Sequence, residues 1–132
     1  MANREHSSIR TPLGRVAHLG SARAGTTHFW HQRLTAVASV PLTIAVVIII
    51  MGLFGRNHAA VVRILGSSFV AIVMLIFIVT NVYHMWLGMQ VIIEDYVHDE
   101  RMKFITLMGN TFFCFAVGVT AVFAILNLSF GV

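Results

Sequence analysis

Three long stretches without a charged side chain constrain the fold of this chain more than any other feature. They cover residues 34–55, 64–93 and 104–132, and none contains aspartate, glutamate, lysine or arginine. An α-helix needs about 20 predominantly apolar residues to cross the hydrocarbon core of a bilayer, which is about 30 Å thick. We therefore predict an all-α membrane protein with three transmembrane helices, spanning about residues 34–55, 64–93 and 104–127.

The composition supports the membrane class. Hydrophobic residues make up 58% of the chain and charged residues only 11%, which is typical of a membrane protein. The net charge of +4 does not indicate nucleic-acid binding, because the basic residues flank the apolar stretches and form no cluster. Cys114 is the single cysteine of the sequence, and this excludes an intrachain disulfide.

The basic residues predict the orientation of the helices in the membrane. The connection between the first two apolar stretches carries Arg56 and Arg63. The segment before the first stretch and the connection between the last two carry seven basic residues: Arg4, Arg10, Arg15, Arg23, Arg33, Arg101 and Lys103. Cytoplasmic segments carry the excess of lysine and arginine. We therefore predict a cytoplasmic N-terminus and a periplasmic C-terminus.

The segment before the first span predicts the domain organisation and the membrane. Residues 1–26 are polar and without periodicity, which favours a cytoplasmic tail ahead of a membrane anchor domain over residues 27–132. We expect no cleavable signal peptide, since the first apolar stretch begins only after about thirty polar and basic residues. The arginine- and serine-containing start has some likeness to a mitochondrial transit peptide, but Glu5 argues against it. We expect the inner (cytoplasmic) membrane of a bacterium.

His84 lies deep inside the second apolar stretch, nearer the middle of a span than any other histidine of the chain. An α-helix turns about 100° per residue, so Asp95, eleven positions later, lies within about 20° of the same direction. The two residues are then about 16 Å apart along the helix axis, and Gly88 and Val91 lie on the same stripe. Ionisable groups inside a membrane span are costly and commonly functional. The pattern predicts a metal-ligating ring at membrane depth beneath an acid at the surface.

A histidine in this position favours haem ligation. A b-type haem in a helical bundle usually needs two axial histidines, so the second ligand must come from another chain or from a symmetry copy of this one. If the second ligand comes from another chain, the three helices are part of a heteromeric helical bundle. Gly88, one turn from His84, leaves room for a flat macrocycle. The alternative is that His84 only forms a hydrogen bond to a neighbouring helix.

The propionate groups of a haem need cations or donors near the membrane interface. Arg33 lies at the cytoplasmic start of the first span, and arginine can bind a carboxylate in a bidentate manner. His28 and His31 lie just before it and are further candidates. The alternative for Arg33 is an ordinary interfacial anchor.

Asp95 and Tyr96 lie just beyond the second apolar stretch, after Glu94, and predict a quinone site. A quinone carbonyl needs a hydrogen-bond donor, and quinone reduction consumes two protons. The phenol of Tyr96 can donate to the carbonyl oxygen, while Asp95 can orient that phenol or relay protons. The alternative is that Tyr96 is an aromatic of the interfacial belt and that Asp95 is a solvated acid beside Arg101.

Two segments resemble a known family, the hydrophobic membrane anchor subunit of succinate dehydrogenase. The stretch from His84 to Val97, HMWLGMQVIIEDYV, is similar to the haem-and-quinone segment of that family. The stretch from Gly20 to Ala36, GSARAGTTHFWHQRLTA, resembles its approach to the first helix, with Arg33 at the arginine position. The likeness covers nearly the whole chain beyond about residue 12.

The resemblance implies a complex of four subunits. A flavoprotein would oxidise succinate at FAD, an iron–sulfur subunit would pass the electrons on, and two membrane subunits would hold haem b and ubiquinone. This chain would be the smaller membrane subunit, beside a cytochrome b subunit, with no succinate chemistry of its own. His84 would be one axial ligand of the haem iron, Tyr96 a hydrogen-bond donor to ubiquinone, and Asp95 its polar partner. Glu94 is an additional acid that some members of the family lack.

Two alternative functions stay open at this point. One is the anchor subunit of a fumarate reductase, in which the same arrangement works towards succinate. The other is a small non-redox membrane subunit, such as part of a transporter or an assembly factor, with His84 as an interhelical hydrogen-bonding residue. A visible spectrum distinguishes the second alternative, because a reduced b-type haem has sharp absorption bands.

Overall fold

The computed structural model describes residue 11 and residues 25–131, and its structure in this range is helical. The helices are α1 (Gly25–Leu53), α2 (His58–Leu65), α3 (Ser68–Tyr96) and α4 (Glu100–Phe130). Three of them are long and apolar enough to cross a membrane, over Thr26–Leu53, Ser68–Tyr96 and Glu100–Phe130. The prediction of an all-α membrane protein with three transmembrane helices is thus confirmed. Most of the N-terminal tail, with Arg4, Arg10, Arg15 and Arg23, lies outside the described residues.

The helices do not begin and end where the charge-free stretches do. α1 begins at Gly25, well before residue 34, because polar and aromatic residues at a membrane interface are compatible with a helical backbone. The long helix α3 begins at Ser68 and not at about residue 64. Residues 58–65 instead form the short helix α2, whose N-cap Asn57 accepts a hydrogen bond from the Ala60 N–H at 2.9 Å. This cap satisfies a backbone donor that would otherwise be unpaired at the start of the helix.

Gly66 follows the last residue of α2 and allows the chain to approach the C-terminal end of α4. A Cβ atom at this position would lie 2.6 Å from the backbone oxygen of Leu128 and 3.0 Å from that of Val62. Only glycine fits such a close contact between two backbones without displacing one of them. The break at Gly66 and Ser67 therefore separates the short helix from the span that follows it.

α3 is the central helix of the described chain, since it packs against both α1 and α4. Its junction with α4 includes Gly118, where a Cβ atom would lie 3.3 Å from a methyl carbon of Val82, so the small residue permits close packing. The buried amide of Asn110 donates to the Trp86 carbonyl at 3.1 Å, and the Cys114 thiol donates to the Asn110 amide oxygen at 3.4 Å. The first of these contacts links α4 to α3, and the second lies within α4 and completes the hydrogen bonding of the Asn110 amide.

A tight connection places the end of α3 beside the start of α4. The Asp99 carboxylate accepts a hydrogen bond from the Met102 N–H at 2.8 Å and so caps α4. The Lys103 ammonium donates to the Glu94 carbonyl at 3.1 Å. The Lys103 contact ties the start of α4 to the last turn of α3, which carries Asp95 and Tyr96.

Candidate functional site

The residues that the sequence singled out lie on two neighbouring helices. His84, Gly88, Asp95 and Tyr96 belong to α3, which is continuous from Ser68 to Tyr96. The helical register predicted for His84 and Asp95 therefore holds along the whole distance between them.

His84 is half-buried and faces α1. Its Nδ1 atom lies 2.9 Å from the hydroxyl oxygen of Thr35. The same hydroxyl donates back to the carbonyl oxygens of His31 at 2.8 Å and Gln32 at 3.1 Å. Within residues 25–131 the Thr35 contact is the one hydrogen bond that His84 makes through its ring, so Nε2 is left for another partner.

Gln32 of α1 lies beside Gly88, one helical turn from His84. A Cβ atom at Gly88 would lie 3.3 Å from the Gln32 amide nitrogen, so this side chain fills the space that the sequence assigned to a macrocycle. The amide oxygen of Gln32 is buried and has no hydrogen-bond partner among the described residues. Buried polar atoms are rarely left unpaired in native proteins. The Gln32 side chain is thus packed between α1 and α3 with its amide oxygen unpaired among the described residues.

A second polar contact between α1 and α3 involves His31. Its Nδ1 atom lies 2.6 Å from the Tyr83 hydroxyl, and the Tyr83 ring stacks on Trp86 with the ring centroids 5.8 Å apart. The Trp86 indole N–H donates to the Thr111 hydroxyl of α4 at 3.1 Å. Polar and aromatic side chains thus link α1, α3 and α4.

Arg33 and His28 lie on α1 but do not join His84. Arg33 is exposed, and its guanidinium lies 4.5 Å from the centroid of the Phe29 ring, a cation–π contact within the helix. Since it lies two residues from Thr35, it is about 200° away around the helix, on the side of α1 away from His84. No carboxylate pairs with Arg33 in the described part of the chain. The half-buried His28 makes no hydrogen bond through its ring there either, so both roles stay predictions.

Asp95 and Tyr96 occupy the last turn of α3 and are both exposed. The Tyr96 side chain is 78% exposed, and its phenol makes no hydrogen bond to the described residues. The backbone carbonyl of Tyr96 accepts from His98 Nδ1 at 3.1 Å. This geometry leaves the phenol accessible to a ligand or to a partner chain, and it fits the quinone and belt interpretations equally.

Sequence reasoning missed Thr35, Gln32 and Tyr83, each of which contacts the opposite helix. The signal for Thr35 and Gln32 was their spacing of three residues on α1, which places them on one face. The signal for Tyr83 was a phenol next to His84 in a charge-free stretch. Neither pattern says which helix the face packs against.

An apolar recess of about 620 Å³ lies between α3 and α4, on another side of α3 from Thr35. Its polar wall groups include the Trp86 indole and the Thr111 hydroxyl, which are hydrogen-bonded to each other. The remaining walls are mainly aliphatic and aromatic, as suits contact with hydrocarbon.

Comparison with known proteins gives consistent matches. Residues 7–118 match the family described as the succinate dehydrogenase/fumarate reductase transmembrane subunit. The chain is 28% identical over 121 residues to the succinate dehydrogenase hydrophobic membrane anchor subunit of Paracoccus denitrificans, covering 92% of this chain and 93% of that protein. It is 29% identical over 120 residues to the protein of the same name from Rickettsia conorii, covering 89% of this chain and 94% of the relative.

No solved structure matches the chain significantly. The family match extends over most of the sequence and includes α1, α2, α3 and more than half of α4. It therefore includes the contact between α1 and α3 that holds His84. The chain belongs to the succinate dehydrogenase/fumarate reductase transmembrane subunit family.

Proposed function

We propose that this chain is the hydrophobic membrane anchor subunit of a succinate:ubiquinone oxidoreductase. The family match and the names of the relatives support this role. The observation that carries the proposal is the placement of His84, a half-buried histidine within a membrane span whose ring is held through one nitrogen. Its partners in the complex would be a cytochrome b membrane subunit, an iron–sulfur subunit and an FAD-containing flavoprotein.

The residues around His84 fit a haem b shared with the second membrane subunit. Thr35 holds Nδ1, so Nε2 of His84 is the nitrogen that would bind the iron. The Gln32 side chain, whose amide nitrogen lies beside Gly88, would move aside to make room for the macrocycle. The bound haem would supply one-electron exchange, and the cytochrome b subunit would supply the second axial histidine. Arg33, His28 and His31 are the proposed partners of the propionates.

The exposed faces of the helices also support a heteromeric bundle. Large apolar side chains on all three spans are exposed, among them Val37, Ile76, Phe112 and Phe115, which are 50–71% exposed. In a membrane such faces are covered by lipid or by other helices. A second membrane subunit can therefore pack against these exposed side chains without disturbing the contacts between α1, α3 and α4.

Ubiquinone would bind at the end of α3. Tyr96 would donate its phenolic proton in a hydrogen bond to a quinone carbonyl, and Asp95 would orient that phenol or pass protons from water. Both side chains are exposed in the single chain, so the remaining walls of the site must come from partner subunits. The charge distribution predicts a cytoplasmic position for this end, where the iron–sulfur subunit would dock.

The second candidate is the anchor subunit of a fumarate reductase, because the family description names both enzymes. The direction of the reaction depends on the quinone and on the other subunits. A non-redox membrane subunit is the remaining alternative, and the family match disfavours it.

Purification of the assembled complex tests the proposal. A tag placed after Val132 should recover, from detergent-solubilised membranes, subunits that carry FAD and iron–sulfur clusters together with succinate:quinone reductase activity. The preparation should show the absorption bands of a reduced b-type haem. A tagged chain that brings down no flavoprotein would contradict the role. Faster quinol oxidation by fumarate than quinone reduction by succinate would favour fumarate reductase.

A further inference from the structure

The Thr35 hydroxyl is the group that contacts the His84 ring from the neighbouring helix. The two residues are on different helices, and the Thr35 hydroxyl oxygen lies 2.9 Å from Nδ1 of His84. Both residues are half-buried and lie within helices long and apolar enough to cross a membrane, and among the described residues the His84 ring has this one hydrogen bond. The orientation of the ring and the position of its proton therefore depend on this hydroxyl.

The other contacts of Thr35 decide which group donates. A hydroxyl has one proton, and the Thr35 hydroxyl lies 2.8 Å from the His31 carbonyl oxygen and 3.1 Å from that of Gln32. Carbonyl oxygens can only accept, so the hydroxyl proton is shared between them. Towards His84 the Thr35 oxygen then acts as the acceptor, and Nδ1 of His84 is the donor.

This arrangement selects one tautomer of the neutral ring. With its proton on Nδ1, His84 has its lone pair on Nε2. Ligating histidines commonly donate their second N–H to an acceptor, which fixes the tautomer, orients the ring and raises the basicity of the ligand.

We propose that Thr35 is the positioning residue of His84, holding the ring so that Nε2 faces the haem iron and tuning the redox potential of that haem. The proposal rests on the proposed function and deepens it. The alternative role for Thr35 is purely structural, as a polar link between α1 and α3 without influence on the iron.

Replacement of Thr35 by valine in the assembled complex separates these roles. Valine has nearly the shape of threonine but removes the acceptor. The haem should be retained, because His84 is still present. Its midpoint potential should shift to a more positive value, since a less basic ligand stabilises the ferric state less. The low-spin electron paramagnetic resonance signal should shift as well.

Two matched variants control the experiment. Thr35→Ser restores a hydroxyl and should bring the potential and the spectrum back towards those of the unaltered complex. Thr43→Val makes the same chemical change at an exposed threonine of α1 and should leave both unchanged. If the Thr35→Val complex does not assemble, Thr35→Ala removes the same hydroxyl with less crowding and is judged by the same criteria.

The outcomes distinguish this inference from the proposed function. A potential and spectrum unchanged in Thr35→Val, in a complex that loses its haem when His84 is replaced, would overturn the positioning role and leave the haem assignment standing. A haem spectrum that survives replacement of His84 would overturn both.

Discussion

At the scale of single residues, the chemistry of this chain depends on which polar atoms are paired inside it and which are not. The His84 Nδ1 atom and the Tyr83 hydroxyl have partners on α1. The Tyr96 phenol has none among the described residues and is 78% exposed. The paired groups hold α1 against α3, and the unpaired ones are the positions at which a ligand or a partner subunit can bind.

Replacement of Tyr96 by phenylalanine tests the quinone assignment. The change keeps the ring and removes only the donor, and an unpaired quinone carbonyl should cost about 1–3 kcal/mol. Quinone reduction by succinate should therefore fall roughly ten- to hundred-fold, while haem content stays normal. The variant Glu100→Gln, at an exposed acid of α4 outside the proposed site, is the control and should reduce quinone at the normal rate. Full activity in Tyr96→Phe would make Tyr96 an aromatic of the interfacial belt.

At the scale of helices, the spans could be predicted from the sequence but some of their boundaries could not. Three charge-free stretches are sufficient to indicate three crossings. The start of α3 at Ser68 was not predicted because Ile64 and Leu65, the last residues of α2, are apolar as well. The charge-free stretch therefore begins before the long helix does. The break depends on Gly66 meeting Leu128, which is 62 positions away in the sequence. Local pattern does not encode such a contact.

In the candidate site, too, some features could be predicted from the sequence and others could not. The depth of His84 and its register with Asp95 follow from helical periodicity alone. Its partner Thr35 is 49 positions away, and periodicity does not identify the helix that packs against a given face. For the same reason the sequence did not show that Arg33 lies on the side of α1 away from His84.

Gly66→Ala tests the contact between α2 and α4. The added methyl group would lie 2.6 Å from a backbone oxygen, so one helix must move, and overpacking of this kind typically costs about 1–3 kcal/mol. The thermal unfolding midpoint of the purified complex should fall. Gly52→Ala, in α1 with nothing within 4 Å of the added carbon, should leave it unchanged or raise it slightly. Equal midpoints for the two variants would show that the close contact does not form.

At the scale of the whole molecule, the three spans and the charge distribution predict an orientation. The connection that contains α2 carries two basic residues, Arg56 and Arg63, and the chain after Lys103 carries none. We therefore expect α2 and the C-terminus in the periplasm, with Asp95 and Tyr96 on the cytoplasmic side. This orientation brings the proposed quinone site to the surface at which a soluble iron–sulfur subunit would deliver electrons.

Reporter fusions test this orientation. An enzyme that is active only in the periplasm should be active when fused after Val132 and inactive when fused after His98. Fusion of a reporter that is active only in the cytoplasm should give the reverse pattern at both sites. The opposite result would place Tyr96 on the wrong side of the membrane for a cytoplasmic electron donor.

The most direct test of haem ligation by His84 is the visible spectrum of the purified complex in which His84 is replaced by leucine. The b-type haem bands should be lost or strongly altered, while succinate oxidation with a soluble dye as acceptor continues. His58→Leu, at an exposed histidine of α2, should keep the normal spectrum. Haem bands that remain unchanged in the His84→Leu complex would contradict the assignment of His84 as an axial ligand.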